Sequence, residues 1–522
     1  MAATIVTTSF GALSARPDGP INRGPRPAPA VQAFLGVPYA AAPLGPLRFA
    51  RPQPAPRWEG VRPAHEHGPA PIQGGPGPGR YLADLSSPID SEDCLTLSIW
   101  TPAPDPQAKL PVMVWLYGGA FVTGSTSVSA YDAARLAARG VVVVAVNYRL
   151  GLFGWLRCPE LGADGNMGLA DQAAALQWVR AEIEGFGGDP ANITLFGESA
   201  GAASVAAHLA GTATPVFRRA ILQSGSYNLV QGEVHAADTA ARLLAHLGLP
   251  PDRVQELRTL PTAVLRAAQD VATPRAGGVF YRPVTDGDLV PADPAAVLAA
   301  GTGAGCGLPL LLGTNRDEMG FFWGRDENFD ALSEETLHGL ARRWHPDGTE
   351  ALEVYRRARA ARGEPVNNRA LAMAMGGDWS FRAAVMGLAA WQSSRADTFV
   401  YRMDWASPLY DGLVGAAHVL DVPLVMGTYD DPSIAAFTGY DRQPDQVAAV
   451  SDQMASAWVR FATTGDPGWD RYQPDRRLTR LFGGGDEGGS GVGGVGGVGG
   501  GSMVADPQGD ELRIWEALAQ RR

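Results

Sequence analysis

The sequence is poor in cysteine, in positive charge and in long apolar runs, and each shortage removes a class of protein. Its three cysteines, Cys94, Cys158 and Cys306, lack metal-ligand spacing and cannot all pair, which argues against a disulfide framework and for a reducing compartment. With 43 Lys+Arg against 54 Asp+Glu the formal net charge is −11, and no basic stripe offers itself to nucleic acid or to anionic lipid. The longest aliphatic run, Val141 to Val146, has the length of a strand and not of a membrane span. The opening residues Met1-Ala2-Ala3-Thr4 do not show a basic segment followed by an apolar core. These absences lead us to expect a soluble cytoplasmic protein with neither a nucleic-acid partner nor a membrane span.

What is present is organised around Gly197-Glu198-Ser199-Ala200-Gly201, which fits the Gly-x-Ser-x-Gly turn that lifts a serine hydroxyl onto the apex between a strand and a helix. With 65 Gly in 522 residues, about a third of one such match arises by chance, so the flanks have to decide. Before the turn stands the β-prone run Asn192 to Phe196, and after it the Ala-rich, helix-compatible stretch Ala202 to Leu209. Ser199 is therefore the candidate nucleophile. Around it runs a βαβ rhythm: strand Val112 to Leu116, helix near Ala130 to Arg139, strand Val141 to Asn147, helix Leu169 to Ile183, the elbow, and strand Ala220 to Ser226. Leu308 to Leu312 and Thr398 to Met403 read as later strands of the same mostly parallel sheet, and Gln446 to Thr463 as a final helix. Nearer the start, Thr4 to Leu13 and Val31 to Val37 read as two strands of a hairpin, Pro38 to Pro88 as irregular surface chain, and Asp93 to Trp100 as a strand.

The expectation is one domain over 1–522 with a mobile Pro-rich insert at 16–30, cap-like helical inserts at 228–300 and 325–395, and a flexible Gly/Val-rich insert at 483–502. Ligands of open α/β sheets bind beyond the carboxyl ends of the strands, under such caps.

A serine hydroxyl needs a histidine base oriented by an acid, and in this architecture the chain order is serine, acid, histidine. His65 and His67 precede Ser199, and His208 lies about 13 Å along the elbow helix. His235 and His246 fall in the first cap region, and His338 and His345 in a helical stretch. His418 alone follows a strand into a loop. For the acid, Asp317 and Glu318 both follow a strand at its carboxyl end, and the residues alone do not separate them. Gly118-Gly119-Ala120, ending a buried strand upstream of the elbow, offers backbone N–H donors for a tetrahedral oxyanion.

At this point the chain resembles the type B carboxylesterases, the α/β-hydrolase family that includes bacterial para-nitrobenzyl-type esterases and cholinesterases. The resemblance rests on Phe34-Leu35-Gly36-Val37-Pro38-Tyr39-Ala40, Leu47-Arg48-Phe49, Ser91-Glu92-Asp93-Cys94-Leu95, Asn147-Tyr148-Arg149-Leu150-Gly151 and Asn166-Met167-Gly168-Leu169, and covers nearly the whole chain. It implies an α/β-hydrolase fold and a serine esterase that needs no metal or cofactor and acts on uncharged carboxylic esters. It also implies Glu318 as the acid, His418 as the base, the N–H groups of Gly119, Ala120 and Ala200 as oxyanion donors, and Glu198 close to the histidine. Amide or carbamate hydrolysis with the same triad, and a non-catalytic neuroligin-like binding module, are the alternatives. Three departures stand out. Val419 and Asp421 occupy positions where the family commonly has Gly and Glu; no cysteine precedes Cys94, so the family's animal disulfide is excluded; and Pro69 to Ser91 holds no Trp for a choline platform. Phe321, Phe322 and Trp323 follow the acid and are candidate pocket residues.

Overall fold

The computed structural model describes residues 4–17, 31–73, 90–272, 281–324, 329, 331–484 and 502–520. The Gly/Val-rich stretch and most of the Pro-rich insert lie outside these residues, as do short parts of both cap-like regions.

Among the described residues, ten strands form one sheet. From one edge they run Met503–Ala505, Leu478–Phe482, Thr398–Met403, Leu310–Asn315, Arg219–Gln223, Gly188–Glu198, Leu110–Leu116, Val142–Val146, Thr96–Thr101 and Gln32–Pro38. The seven strands from Leu478–Phe482 to Val142–Val146 are mutually parallel, and the outer pairings are antiparallel. Helices cover both faces, which is why the central strands are continuous apolar runs rather than alternating ones. Alternate side chains feed opposite cores. Met113, Trp115, Val143, Ala145 and Phe196 point into one, while Val112, Val114, Leu116, Val142, Val144, Val146 and Leu195 point into the other. The helix Pro444–Thr464 closes the first with Val447, Met454, Trp458 and Phe461, and Met167–Glu182 closes the second with Ala175, Leu176 and Val179.

The elbow helix, Ala200–Ala210, is buried all round except at His208, and its run of alanines allows close approach to the sheet. After Arg219–Gln223 the chain is helical over Glu233–Leu247, Pro251–Arg258 and Thr262–Ala272. A third core forms where Glu334–Trp344, Gly348–Ala361 and Asn368–Gly377 pack together, and Trp515 of the last helix, Gly509–Gln520, completes it.

Some expectations are corrected. Gln32–Pro38 is a strand, but it pairs antiparallel with Thr96–Thr101; the true hairpin joins Ile5–Thr7 to Ala12–Ala15. The segment after Pro38 is not merely surface chain, since Val61–Ala64 extends that small sheet and Tyr39, Phe49 and Ile72 are buried. The helix near Ala130 shrinks to Ala134–Ala137 behind a short 3₁₀ turn, Ser129–Tyr131, because the chain reaches the strand Val142–Val146 within a few residues. No helix among the described residues is long and apolar enough to cross a membrane.

Candidate active site

Ser199 sits between the strand Gly188–Glu198 and the helix Ala200–Ala210 with φ 54° and ψ −119°, a backbone conformation that side chains rarely adopt. Its N–H donates to the Gln223 carbonyl at 2.9 Å, and its own carbonyl accepts from Ala203 N at 2.9 Å. The flanking glycines are required by contact. A Cβ on Gly197 would lie 2.6 Å from the Gly201 carbonyl carbon, and one on Gly201 would land on the Leu116 carbonyl group of the neighbouring strand. Gly118 closes in from the other side, with its Cβ direction aimed at the Glu198 carboxylate and, at 3.0 Å, at Ser199 Cβ.

His418 is buried, and its Nδ1 donates to Glu318 Oε2 at 2.6 Å. Glu318 is the acid that reaches it. The other Glu318 oxygen accepts from Ser224 Oγ at 2.6 Å and from Asn315 N at 2.8 Å. Asp317 points elsewhere: its Oδ2 accepts from Ala416 N at 2.9 Å and so braces the histidine loop. That loop is laced further to the strand end, by Asp317 N to Ala416 O at 2.9 Å, Asn315 Nδ2 to Ala417 O at 2.7 Å and His418 N to Glu318 O at 3.3 Å.

Glu198 Oε1 stands 3.0 Å from His418 Nε2, an ion pair when the imidazole is protonated. No hydrogen bond joins the Ser199 hydroxyl to the imidazole among the described residues; in unliganded sites such bonds commonly tighten only when substrate binds. Because Glu198 is the residue before Ser199, this contact brings the imidazole to the elbow. Burial alone would lower the His418 pKa, but the Glu198 and Glu318 carboxylates overcome it and raise it to about 10. Burial raises Glu198 as well, against the pull of His418.

The other histidines have structural partners or lie away from this corner: His65 meets Ser14, His67 meets Ser98, His208 meets Gln172 and His338 meets Glu334. The Gly119 and Ala120 amides make no hydrogen bond to another described residue, and Ala200, as the first residue of its helix, has no helical carbonyl to bond.

Sequence reasoning missed Ser224 and Phe381 as neighbours of the histidine. Ser224 was read only as part of a strand. Phe381 lies on a π-helical turn, Asp378–Arg382, with its ring centroid 4.5 Å from the His418 ring. Phe322 and Phe321 flank the same ring at 5.2 and 6.0 Å, while Trp323 stacks on Phe329 and Trp344 instead. Asp421 is buried and accepts from Gln223 Nε2 at 2.8 Å, Tyr401 Oη at 2.9 Å and Asn315 Nδ2 at 3.3 Å. Val419, just after the histidine, holds φ 74°, a left-handed conformation that costs a residue with a Cβ about 1–2 kcal/mol. Its buried side chain offsets part of that strain.

The sequence profile of the carboxylesterase family matches residues 2–478. The chain belongs to the carboxylesterase family. A para-nitrobenzyl esterase of Bacillus subtilis (strain 168) is 35% identical over 501 residues, 92% of this chain and 94% of that protein. An acetylcholinesterase of Bungarus fasciatus is 33% identical, over 84% of this chain and 75% of its own length. Among solved structures, a carboxylesterase of Geobacillus stearothermophilus superimposes with a TM-score of 0.82 at 34% identity, covering 98% of this chain and all of the other. The carboxylesterase has the α/β-hydrolase fold and is a carboxylic ester hydrolase of the serine type.

Proposed function

We propose that this carboxylesterase hydrolyses small uncharged carboxylic esters through an acyl-enzyme on Ser199. Glu318, hydrogen-bonded to Nδ1, holds the tautomer in which Nε2 of His418 takes the serine proton, and Ser199 Oγ bonds to the ester carbonyl carbon. The N–H groups of Gly119, Ala120 and Ala200 receive the developing oxyanion, the last aided by the positive end of the elbow helix. The imidazolium then gives its proton to the leaving alcohol, and a water deprotonated by the same imidazole releases the acid. Glu198 supports the imidazolium by charge at 3.0 Å. The observation that carries this reading is the buried Glu318–His418 pair drawn by Glu198 to an elbow serine in a strained backbone.

The surroundings of the imidazole disfavour an anionic substrate. Phe321, Phe322 and Phe381 surround the imidazole, and the buried Glu198 and Glu318 disfavour an anionic acyl group. The test is Ser199→Ala assayed on para-nitrophenyl butyrate alongside fluorophosphonate labelling. The rate is expected to fall by about 10⁴-fold or more, with labelling lost. Full activity in the folded variant would overturn the assignment.

A further inference from the structure

The loop Gly118–Gly124 carries two of the proposed oxyanion donors, and its backbone is strained. Gly119, Ala120, Phe121 and Gly124 have φ of +110°, +54°, +62° and +121°. Two of these residues bear side chains, and such conformations persist only where the surroundings over-determine them. Inside the loop, the Gly119 carbonyl accepts from Val122 N at 3.0 Å and Thr123 N at 3.1 Å. From outside it, a side chain distant in sequence grips the far arm. Gln73 Oε1 accepts from Thr123 Oγ1 at 2.7 Å and from Gly124 N at 3.2 Å, and its Nε2 donates to Gly124 O at 3.0 Å.

Gln73 is itself buried and held. Its carbonyl accepts from Arg266 Nε at 2.8 Å. Three residues further along the same helix, Thr262–Ala272, Gln269 Oε1 accepts from Leu152 N at 2.7 Å, beside Gly151, whose N–H donates to the Phe121 carbonyl at 2.8 Å. Residues three apart share a helix face, so one face braces the loop by two routes: through Gln73 at Gly124 and through Gly151 at Phe121.

We propose that Gln73 is a positioning residue for ester hydrolysis, fixing the strained loop so that the Gly119 and Ala120 N–H groups stay aimed at the oxyanion. The inference rests on the donor assignment made under the proposed function. Preorganised donors act because they need not reorganise as charge develops. A loosened loop keeps its donors but lets them turn away, so the loss is smaller than for deleting a donor and falls on the transition state. The side chain has to offer an acceptor and a donor at once: methionine matches its length with neither, and glutamate keeps only the acceptor.

The experiment compares Gln73→Met, Gln73→Glu and Thr123→Val in the whole protein, reading kcat and KM for para-nitrophenyl butyrate, inhibition by an aryl trifluoromethyl ketone that binds as a tetrahedral adduct, and Tm. Gln73→Met is expected to lower kcat by about 10–100-fold with KM within about twofold, and to weaken the ketone by the same factor. Gln73→Glu, whose second oxygen would face the Gly124 carbonyl oxygen in place of the amide donor, should lose at least as much, and adding Thr123→Val to Gln73→Met should cost less than the product of the two single effects. Wild-type kcat and ketone affinity in folded Gln73→Met would overturn the inference, as would equal losses in KM and ketone binding. If Gln73→Met does not fold, the same readings on Thr123→Val decide, unchanged ketone affinity again overturning it. Full activity of Ser199→Ala would overturn the proposed function instead, whatever Gln73 does.

Discussion

Ser199 is held by main chain and by the absence of side chains around it, whereas His418 is held by side chains and charge. At the elbow, Gly197, Gly201 and Gly118 let three stretches of backbone meet, and among the described residues no polar side chain hydrogen-bonds the serine. At the histidine, Glu318, Asp317, Asn315 and Glu198 each make a specific polar contact with the ring or its loop. The first kind of positioning is steric and all-or-none. The second is graded and depends on pH.

The sharpest way to break this contrast is Gly201→Ala. Its new methyl would occupy the place of the Leu116 carbonyl, and backbone cannot yield as a flexible side chain would. We expect a stability loss of roughly 3 kcal/mol and no measurable esterase, read by thermal melting and soluble yield. An active Gly201→Ala of wild-type Tm would show that the elbow is not sterically fixed. Glu318→Gln should behave differently. The fold persists, because Ser224 and Asn315 still have an oxygen to donate to, but kcat drops by about 10³–10⁴-fold as the tautomer is lost.

Glu198→Gln should give the smallest change and the most informative one. The base must be neutral, and the two carboxylates raise its pKa to about 10, so kcat/KM climbs with pH on the alkaline side of an ordinary histidine. Removing one carboxylate lowers that pKa, and the acid limb of the profile should move to lower pH by about one unit. The maximal kcat should fall by roughly 10-fold, because the imidazolium loses a charge partner at 3.0 Å. A profile that does not move would mean that Glu198 is only a wall of the elbow.

The same contrast explains what the sequence could tell. The elbow was legible because its demands are local: glycines at fixed offsets between an apolar run and an Ala-rich helix. His418 was legible through chain order. Geometry separates Glu318 from Asp317, which the residues alone left open, because one carboxylate turns to the imidazole and its neighbour to the Ala416 amide. Ser224, Phe381 and Gln73 were not legible, since each acts on a partner about a hundred residues or fewer away through a contact that no motif spacing encodes. Asp421 was noticed only as a departure; its three partners come from three different strands or strand ends. The misplaced hairpin has the same origin. Alternation marks Gln32–Pro38 as a strand but says nothing of its partner, which lies some sixty residues on. Leu478–Phe482 and Met503–Ala505 went unread because they are short and sit either side of a glycine-rich stretch.

The position of Trp515 has a consequence for the order in which the molecule can be made. Its indole Nε1 donates to Tyr355 Oη at 2.7 Å, and its ring fills the core shared by helices that leave the ribosome well over a hundred residues earlier. Those helices emerge amphipathic and unfinished, with part of their apolar face left for the late-arriving helix Gly509–Gln520 to cover. This surface closes only after every described strand of the large sheet has been translated.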